Sequence, residues 1–500
     1  MTVARDTISR NAGFAFAVKM TGAAFTAVLT IFLVRYLGPA RFGAFTLALS
    51  IGGLVLLPSD LGIARSTARY VAEATTDRGR IAAVLSDALR LKLLASGLVS
   101  VALAALAGPI ASAYGVPEIA LPLRILALSI VFESFLLLFD AVFQALGRIA
   151  TYLRVILVES ASEALLSIGI VLLGGGVAGA VAGRAAGYLF AAGYGLVLLV
   201  RTIRPARLTL RRRRGGHTRR IMRYGSALLV IDGAFTLFSR LDAILIGSII
   251  SVPAVGIFEA PMRLMRFIGF FGQSISSGVA PRMARVGGAE PDRKSLQRGL
   301  RIVVALQGVF LAPLVVWARP FTELVLGSGY GESAAVLRAL APYAFLVGIS
   351  PMVALSVNYL GEARRRVPIA IAALLLNVVV DVALLGRIGV VAAAIGTDLA
   401  YAFYVAAHLL ILRALTGLPL RPLVVGVGRS LLAAAAMAAV LLAFGTSQIA
   451  LPLLVLGAVS ATFAYAGALL AVGAITPTEL RQGLARLRAS LRSPPRPWAR

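Results

Sequence analysis

Residues 11–60 read NAGFAFAVKM TGAAFTAVLT IFLVRYLGPA RFGAFTLALS IGGLVLLPSD. Two apolar runs, 11–35 and 41–60, flank a short break around Arg35-Tyr36-Leu37-Gly38-Pro39. Each is long enough to cross a hydrocarbon layer that takes about 20 helical residues. Lipid offers the backbone no hydrogen bonds, so each run must satisfy its own N–H and C=O groups and reads as a transmembrane helix. The first run is too long for a signal-peptide core and no small-residue cleavage site is evident, so it is expected to be retained.

The same pattern continues outward from this pair. Further apolar segments lie near 85–108, 120–145, 152–173, 177–200, 224–249, 254–280, 301–318, 335–360, 367–386, 389–412, 423–444 and 450–472. The expected fold is an all-α polytopic membrane protein of about 14 transmembrane helices. Composition supports it: 59% of residues are hydrophobic, 14% are charged and mean hydropathy is +0.91. A soluble domain carries about 25% charged residues, and this much apolar surface cannot be hidden from water.

The formal charge of +28 would suggest nucleic-acid binding in a soluble chain. Here its placement decides otherwise. The odd-numbered connections hold only Arg35, Arg41, Arg319 and Arg387, whereas the termini and even-numbered connections are basic throughout. That asymmetry predicts cytoplasmic N and C termini, with no nucleic-acid partner, and the expected location is the inner cell membrane, multi-pass. The run Arg211–Arg214 with Arg219, Arg220 and Arg223 then reads as a topology anchor against anionic lipid. After Thr476-Pro477-Thr478-Glu479, the residues Leu480, Leu484, Leu487 and Leu491 share one face among arginines, which predicts an amphipathic basic tail on the membrane surface. Cysteine is absent, which excludes a thiolate site, and with His217 and His408 as the two histidines a multi-histidine metal site is not expected.

An internal repeat organises the spans. Gly43-x-Phe45 recurs as Gly256-x-Phe258, and Gly62-x-Ala64-x3-Ala68-Arg69 as Gly278-x-Ala280-x3-Ala284-Arg285. Leu123-Arg124 and Leu146-Gly147 recur as Leu337-Arg338 and Leu360-Gly361. Gly176-Val177, Gly183 and Tyr188 recur as Gly389-Val390, Gly396 and Tyr401. Offsets stay between 213 and 216 residues, a register that composition alone does not produce. The predicted organisation is a six-helix lobe over 1–203, a basic connector over 204–223, a second six-helix lobe over 224–413, two appended helices over 414–474 and the tail over 475–500. Six spans per repeat give both halves the same orientation, as in secondary transporters built from parallel repeats.

Several motifs carry a family resemblance: Ser9-Arg10-Asn11, Arg35-Tyr36-Leu37-Gly38-Pro39-x2-Phe42-Gly43-x-Phe45, Asp60-Leu61-Gly62-Ile63-Ala64 and Arg69-Tyr70-Val71-Ala72-Glu73. They resemble the opening of the polysaccharide-biosynthesis (O-antigen-type) flippases of the multidrug/oligosaccharidyl-lipid/polysaccharide exporter superfamily. The resemblance implies two six-helix lobes and transfer of an undecaprenyl-diphosphate-linked glycan between leaflets. Membrane lipids and glycan polymerases or glycosyltransferases are its implied partners.

A charge inside the bilayer costs about 2.5–3.5 kcal/mol and asks for a reason. Lys19 lies in the first span. Asp232, Arg240 and Asp242 lie in the seventh. Glu259, Arg263 and Arg266 are spaced four and three apart, so they share one face of the eighth. As a cleft lining, Lys19, Arg240, Arg263 and Arg266, with Glu259, would replace the water lost by a diphosphate. Read as internal neutralisation, Glu259 pairs with Arg263 and Asp242 with Arg240. Glu133, Asp140, Glu159 and Glu163 fall on neighbouring spans four and five, and with Asp232, Asp381 and Asp398 could bind Na⁺ or H⁺ as the coupling ion. The alternative pairs them with Arg124, Arg154 and Arg184. No resident cofactor or catalytic residue is expected. His408 reads as packed, Arg90 and Lys92 as snorkelling, and Gly327–Gly331 as a flexible loop.

Three functions compete. A flippase accounts for the cationic eighth span. A multidrug/cation antiporter of the same superfamily would favour an acidic, aromatic cleft. A membrane glycosyltransferase, polymerase or ligase would need accessible catalytic loops, but the outer connections are short and no Asp-x-Asp pair exists.

Overall fold

The computed structural model describes residues 2–74, 77–203, 208, 217–284, 290–447 and 449–474, with backbone alone for 2–20, 226–232 and 234–235. The predicted tail, the Arg211–Arg214 run and Arg285 of the repeat lie outside the described residues. The side chains of Lys19 and Asp232 do too.

Among the described residues the regular structure is helical throughout. The helices are α1 (Thr2–Asp60), α2 (Ile63–Glu73), α3 (Arg78–Ala113), α4 (Ala120–Ala145), α5 (Ile149–Ile170), α6 (Gly176–Ile203), α7 (Thr218–Ile249) and α8 (Val252–Val279). They continue as α9 (Arg293–Val316), α10 (Ala318–Val325), α11 (Ser333–Ala339), α12 (Ala341–Tyr359), α13 (Arg366–Ile388), α14 (Val391–Thr416), α15 (Arg421–Ala443) and α16 (Leu451–Ala471). Ten stretches of the described residues are long and apolar enough to cross a membrane. Large apolar side chains stand open on them, Leu173 at 89%, Leu98 at 74% and Phe463 at 73% exposure, which only lipid can solvate. The protein is a polytopic helical membrane protein.

Two of the ten stretches contain a break. Thr21–Asp60 breaks at Gly38, whose φ of 71° lies in the left-handed region, and Pro39 restarts the helix without needing a donor. Ile149–Ile203 breaks between Gly174 and Gly176. The single span expected over 335–360 is divided into α11 and α12, because Pro342 stands in the first turn of α12. The Gly327–Gly331 stretch differs from a flexible loop. Tyr330 within it is 1% exposed and its hydroxyl donates to the Val34 carbonyl at 3.1 Å.

Packing divides the chain into two compact units. The first comprises 1–263, 325–330 and 370–396; the second comprises 264–324, 331–369 and 397–500. In the first, α1 and α8 touch backbone to backbone. A methyl group at Gly43 would collide with the Val252 carbonyl, and one at Gly256 with the Pro39 carbonyl. Lipid supplies no hydrophobic drive between helices, so small residues at such crossings let dispersion hold them. The matched Gly-x-Phe glycines of the repeat are thus two sides of one contact. Leu146-Gly147 and Leu360-Gly361 also correspond in structure, each glycine following a helix end with φ of 67° and 82°.

The Asp60-Leu61-Gly62-Ile63-Ala64 motif is a corner of the first unit. Asp60 accepts from the Ala64 amide at 3.2 Å and starts α2, while Gly62 turns against the Gly225 backbone with no room for a Cβ. Lys92 does not snorkel. It is fully buried, forms an ion pair with Asp60 and donates to Ser134 Oγ at 3.0 Å. Ser66 on α2 then donates to the Ile221 carbonyl of α7 at 2.8 Å. Lys92→Met leaves the Asp60 carboxylate without its buried partner and is expected to cost about 3 kcal/mol. Thermal unfolding of the detergent-purified protein measures this; an unchanged midpoint would show that the pair contributes nothing.

The second unit packs α9 against α12 and α15 around Leu296, Leu300, Val303, Ile349 and Met352. Trp317, at the end of α9, donates through Nε1 to the Gly445 carbonyl at 3.0 Å and the Leu441 carbonyl at 3.2 Å, which ties α9 to the end of α15. His408 is fully buried. Its Nε2 accepts from Arg366 Nε at 3.3 Å, and Arg366 also holds Asn358 at 2.7 Å and the Tyr404 hydroxyl at 2.8 Å.

Candidate functional site

In the first unit, Gly183 and Gly187 stand four apart on α6 and have no room for a Cβ against Ser167 and Glu163 of α5. Their close approach brings α6 polar groups onto α5. Arg184 Nη1 donates to Glu163 Oε1 at 2.6 Å, and its Nη2 donates to the Tyr188 hydroxyl. Tyr188 in turn donates to Glu133 Oε1 on α4 at 3.1 Å. Glu159 lies within electrostatic reach of this group, and Asp140 within reach of Glu159. Three carboxylates from α4 and α5, Glu133, Glu159 and Glu163, therefore gather round one guanidinium, with Asp140 beyond Glu159. Arg240 of α7 adds its charge near Glu133, and a methyl group at Gly53 would lie 2.8 Å from its Nε.

Arg263 comes from the eighth helix. It is half-buried, donates to Thr46 Oγ1 at 3.3 Å, and lies 5.1 Å over the Phe42 ring and 5.6 Å from the Phe45 ring. Both aromatic residues belong to the Phe42-Gly43-x-Phe45 motif, so the motif that brings α1 and α8 together also seats the arginine. A cavity of about 60 Å³ opens between these groups, lined by Arg263, Arg184, Glu163, Ser160, Thr26 and Thr30 with apolar neighbours. Two guanidiniums, one carboxylate and three hydroxyls wall it, with Arg184 already bonded to Glu163 and Tyr188. Glu259 is 4% exposed on α8.

A second polar group of this unit lies on α7 and α13. Asp242 and Asp381 are 7% and 0% exposed and sit carboxyl to carboxyl. Asn377 stands one turn before Asp381, and a methyl group at Gly396 of α14 would collide with Asp381 Oδ1 and touch Asn377 Nδ2 at 3.0 Å. Two buried carboxylates repel, and one proton or one small cation between them relieves that repulsion. Among the described residues no group of three or more His, Asp or Glu is arranged to hold a metal ion.

Arg266, one turn beyond Arg263, belongs to the second unit, where it is exposed and within electrostatic reach of Tyr401. Tyr401 stacks edge-on against Tyr343 at 4.7 Å, and the Tyr343 amide donates to Asp398 Oδ1 at 2.7 Å. Sequence reasoning gives Arg184 only as a neutralising partner and does not name Tyr188 or Asn377 as site residues. The Gly183-x3-Gly187 spacing, which marks a close helix crossing, is the signal for the first two.

Broken spans, glycine-mediated crossings and buried polar groups beside a cavity are features of membrane transport proteins. The profile of the polysaccharide biosynthesis protein family matches residues 32–335, and the chain belongs to that family. It is 21% identical over 408 residues to a probable low-salt glycan biosynthesis flippase, Agl15, of Haloferax volcanii, covering 80% of this chain and 82% of that one. In fold it is similar to the lipid II flippase MurJ in an inward closed conformation, with a TM-score of 0.75, 13% identity and coverage of 91% of this chain and 98% of that one. A multidrug-resistance MATE transporter in an inward-facing conformation is also similar, with a TM-score of 0.64, 15% identity and coverage of 79% and 96%.

Proposed function

We propose that the protein flips a polyprenyl-diphosphate-linked oligosaccharide across the inner cell membrane by alternating access, supplying surface polysaccharide assembly. The supporting observation is the cavity walled by Arg184 and Arg263. A diphosphate entering the bilayer loses its hydration, and forked guanidinium donors with flanking hydroxyls replace it. At about 60 Å³ the cavity holds one or two waters, so the diphosphate enters only as the walls part. Lys19, Arg240, Arg266 and Glu259 are the further residues assigned to substrate. Membership in a polysaccharide biosynthesis family and the likeness to a probable glycan flippase of Haloferax favour this cargo.

In this reading the chain crosses the membrane fourteen times with both termini cytoplasmic: the ten apolar stretches, two of them double, with α7 and α8 added. Glycan polymerases or glycosyltransferases are its partners. Na⁺ or H⁺ supplies the drive at Asp381 with Asp242, and the Glu133–Asp140–Glu159–Glu163 group is a second place for a proton. The likeness to the multidrug transporter keeps cation antiport as the rival, and the carboxylates gathered round Arg184 are the feature that favours it.

Proteoliposomes separate the two. With a fluorescent undecaprenyl-diphosphate oligosaccharide in one set and a lipophilic cationic dye in another, the protein is expected to move the lipid and leave the dye. Dye efflux that depends on Glu163, without lipid movement, would establish antiport instead.

A further inference from the structure

Away from that cavity, the second unit holds a larger pocket of about 420 Å³, where the N-terminal parts of α9 and α15 lie together. Five cations line it: Lys294, Arg298 and Arg301 from α9, and Arg421 and Arg429 from α15. Those on α9 are spaced four and three apart and therefore share a face. Like charges at that spacing repel, and the dipoles of both helices add positive potential at their N-terminal ends. No carboxylate is among the described residues that line the pocket. Asp292, at the start of α9, instead accepts from the Ser295 amide at 3.0 Å and faces Arg282. Arg429 donates to the Gly473 carbonyl at 2.8 Å, while Lys294, Arg298 and Arg421 stand exposed together, where an anion would offset their repulsion.

The remaining wall decides which anion. Leu300, Leu418, Pro422, Leu423 and Val425 line the same pocket, and Val425 and the nearby Leu432 of α15 stand exposed. A ligand that is anionic at one end and apolar at the other matches both. The floor is fixed, since Ser430 donates to the Val304 carbonyl at 3.2 Å and Tyr465 to the Ala305 carbonyl at 2.7 Å. Arg293 donates to the Gly417 carbonyl at 3.3 Å and holds the turn before α15.

We propose that this pocket binds the phosphate headgroup of an anionic membrane phospholipid, with its acyl chains along α15. Both helices are spans, so their ends stand at headgroup depth, where each basic side chain gains about 1 kcal/mol from anionic lipid. Arg298 and Arg421 fork the phosphate oxygens while Lys294 adds a point charge. The volume is many times the roughly 30 Å³ of one water, enough for a phosphate with its glycerol. The bound lipid bridges α9 and α15 and makes the stability of the second unit depend on membrane composition.

The test uses the full chain purified in neutral detergent and titrated with phosphatidylglycerol, phosphatidylcholine or inorganic phosphate. Thermal midpoint and lipid retention by native mass spectrometry are the readouts. Phosphatidylglycerol is expected to raise the midpoint and stay bound. The Arg298→Gln/Arg421→Gln double variant should lose about thirtyfold in affinity, the worth of two basic side chains near anionic lipid. Both residues are exposed, so the core is untouched. An equally exposed basic pair, Arg364→Gln/Arg365→Gln, serves as the control and should change affinity less than about twofold. Equal loss in the control would reduce the effect to diffuse charge. Equal binding of phosphatidylcholine, or a full shift with inorganic phosphate alone, would remove the anionic lipid as the ligand. Any of these overturns the proposal.

Discussion

Arg263→Ala is expected to lower lipid-linked oligosaccharide translocation about a hundredfold while leaving the protein in the membrane. The guanidinium is the group from α8 that faces the cavity, and a charge-assisted bond to a desolvated phosphate is worth about 1.5–3 kcal/mol. The upper part of that range corresponds to about two orders of magnitude in rate when the contact strengthens during passage. Stability should fall by only about 1 kcal/mol, the worth of the arginine over Phe42 and Phe45. Arg263→Lys separates charge from shape, because it keeps the cation and loses the planar fork, so an intermediate loss of about tenfold is expected. Combining Arg263→Ala with Arg266→Ala should abolish surface polysaccharide in cells. Full polysaccharide assembly by that double variant, at normal protein levels, would remove both arginines from the mechanism.

The parts of the fold that depend on local chemistry are legible in the residues. Apolar runs mark the spans, because lipid forces each segment to satisfy its own backbone, and Gly38-Pro39 marks the first break. The repeat pairs Gly147 with Gly361, and both follow helix ends in the left-handed region. Hydropathy misplaces Lys92, because a single-residue scale assigns every lysine to water, whereas Asp60 and Ser134 reach it from 32 and 42 positions away in the chain. Pro342 sits inside what hydropathy reads as one span, although the chain there passes from α11 into α12.

The candidate site is legible as a list of charges but less as a set of neighbours. That Glu163 could meet Arg184 follows from adjacent spans. That Asp242 sits beside Asp381 does not, since α7 and α13 are far apart in sequence. At the repeat offset of 214, Glu163 corresponds to Asn377 and Ser167 to Asp381. The backbone plan is shared: Gly183 closes on Ser167 in one half and Gly396 on Asp381 in the other. The polar content differs, an arginine-centred carboxylate group in the first half against a facing carboxylate pair drawing on the second. Periodicity reports the shared plan and is blind to the exchange, because it records the spacing of small and apolar residues and not which polar side chain stands at a matched position.

That division gives the second large effect, Asp381→Asn. In the native protein the Asp242 and Asp381 carboxylates are both removed from water and face each other, a repulsion that one proton or one small cation relieves. Asparagine keeps the shape and takes away one charge, so the remaining carboxylate no longer requires a shared cation. Translocation by the wild type is expected to rise at least about tenfold when a Na⁺ or H⁺ gradient is imposed on proteoliposomes, the size of a coupling of about 1.4 kcal/mol. Asp381→Asn should lose that response, and Asp242→Asn should lose it too, because the cation needs both walls. Glu133→Gln provides the contrast: it lies in the arginine-centred group and should weaken transport without erasing the dependence on the gradient if the carboxylate pair is the coupling site. Ligand linkage identifies the ion. If Na⁺ binds the native state, raising Na⁺ against choline at fixed ionic strength should raise the thermal midpoint of the wild type and not that of Asp381→Asn. If the proton is shared instead, Na⁺ should leave both midpoints unchanged, and the gradient response should vanish only when the pH difference is collapsed. A full gradient response in both asparagine variants would move the coupling to the Glu133–Asp140–Glu159–Glu163 group and leave the buried pair a structural role.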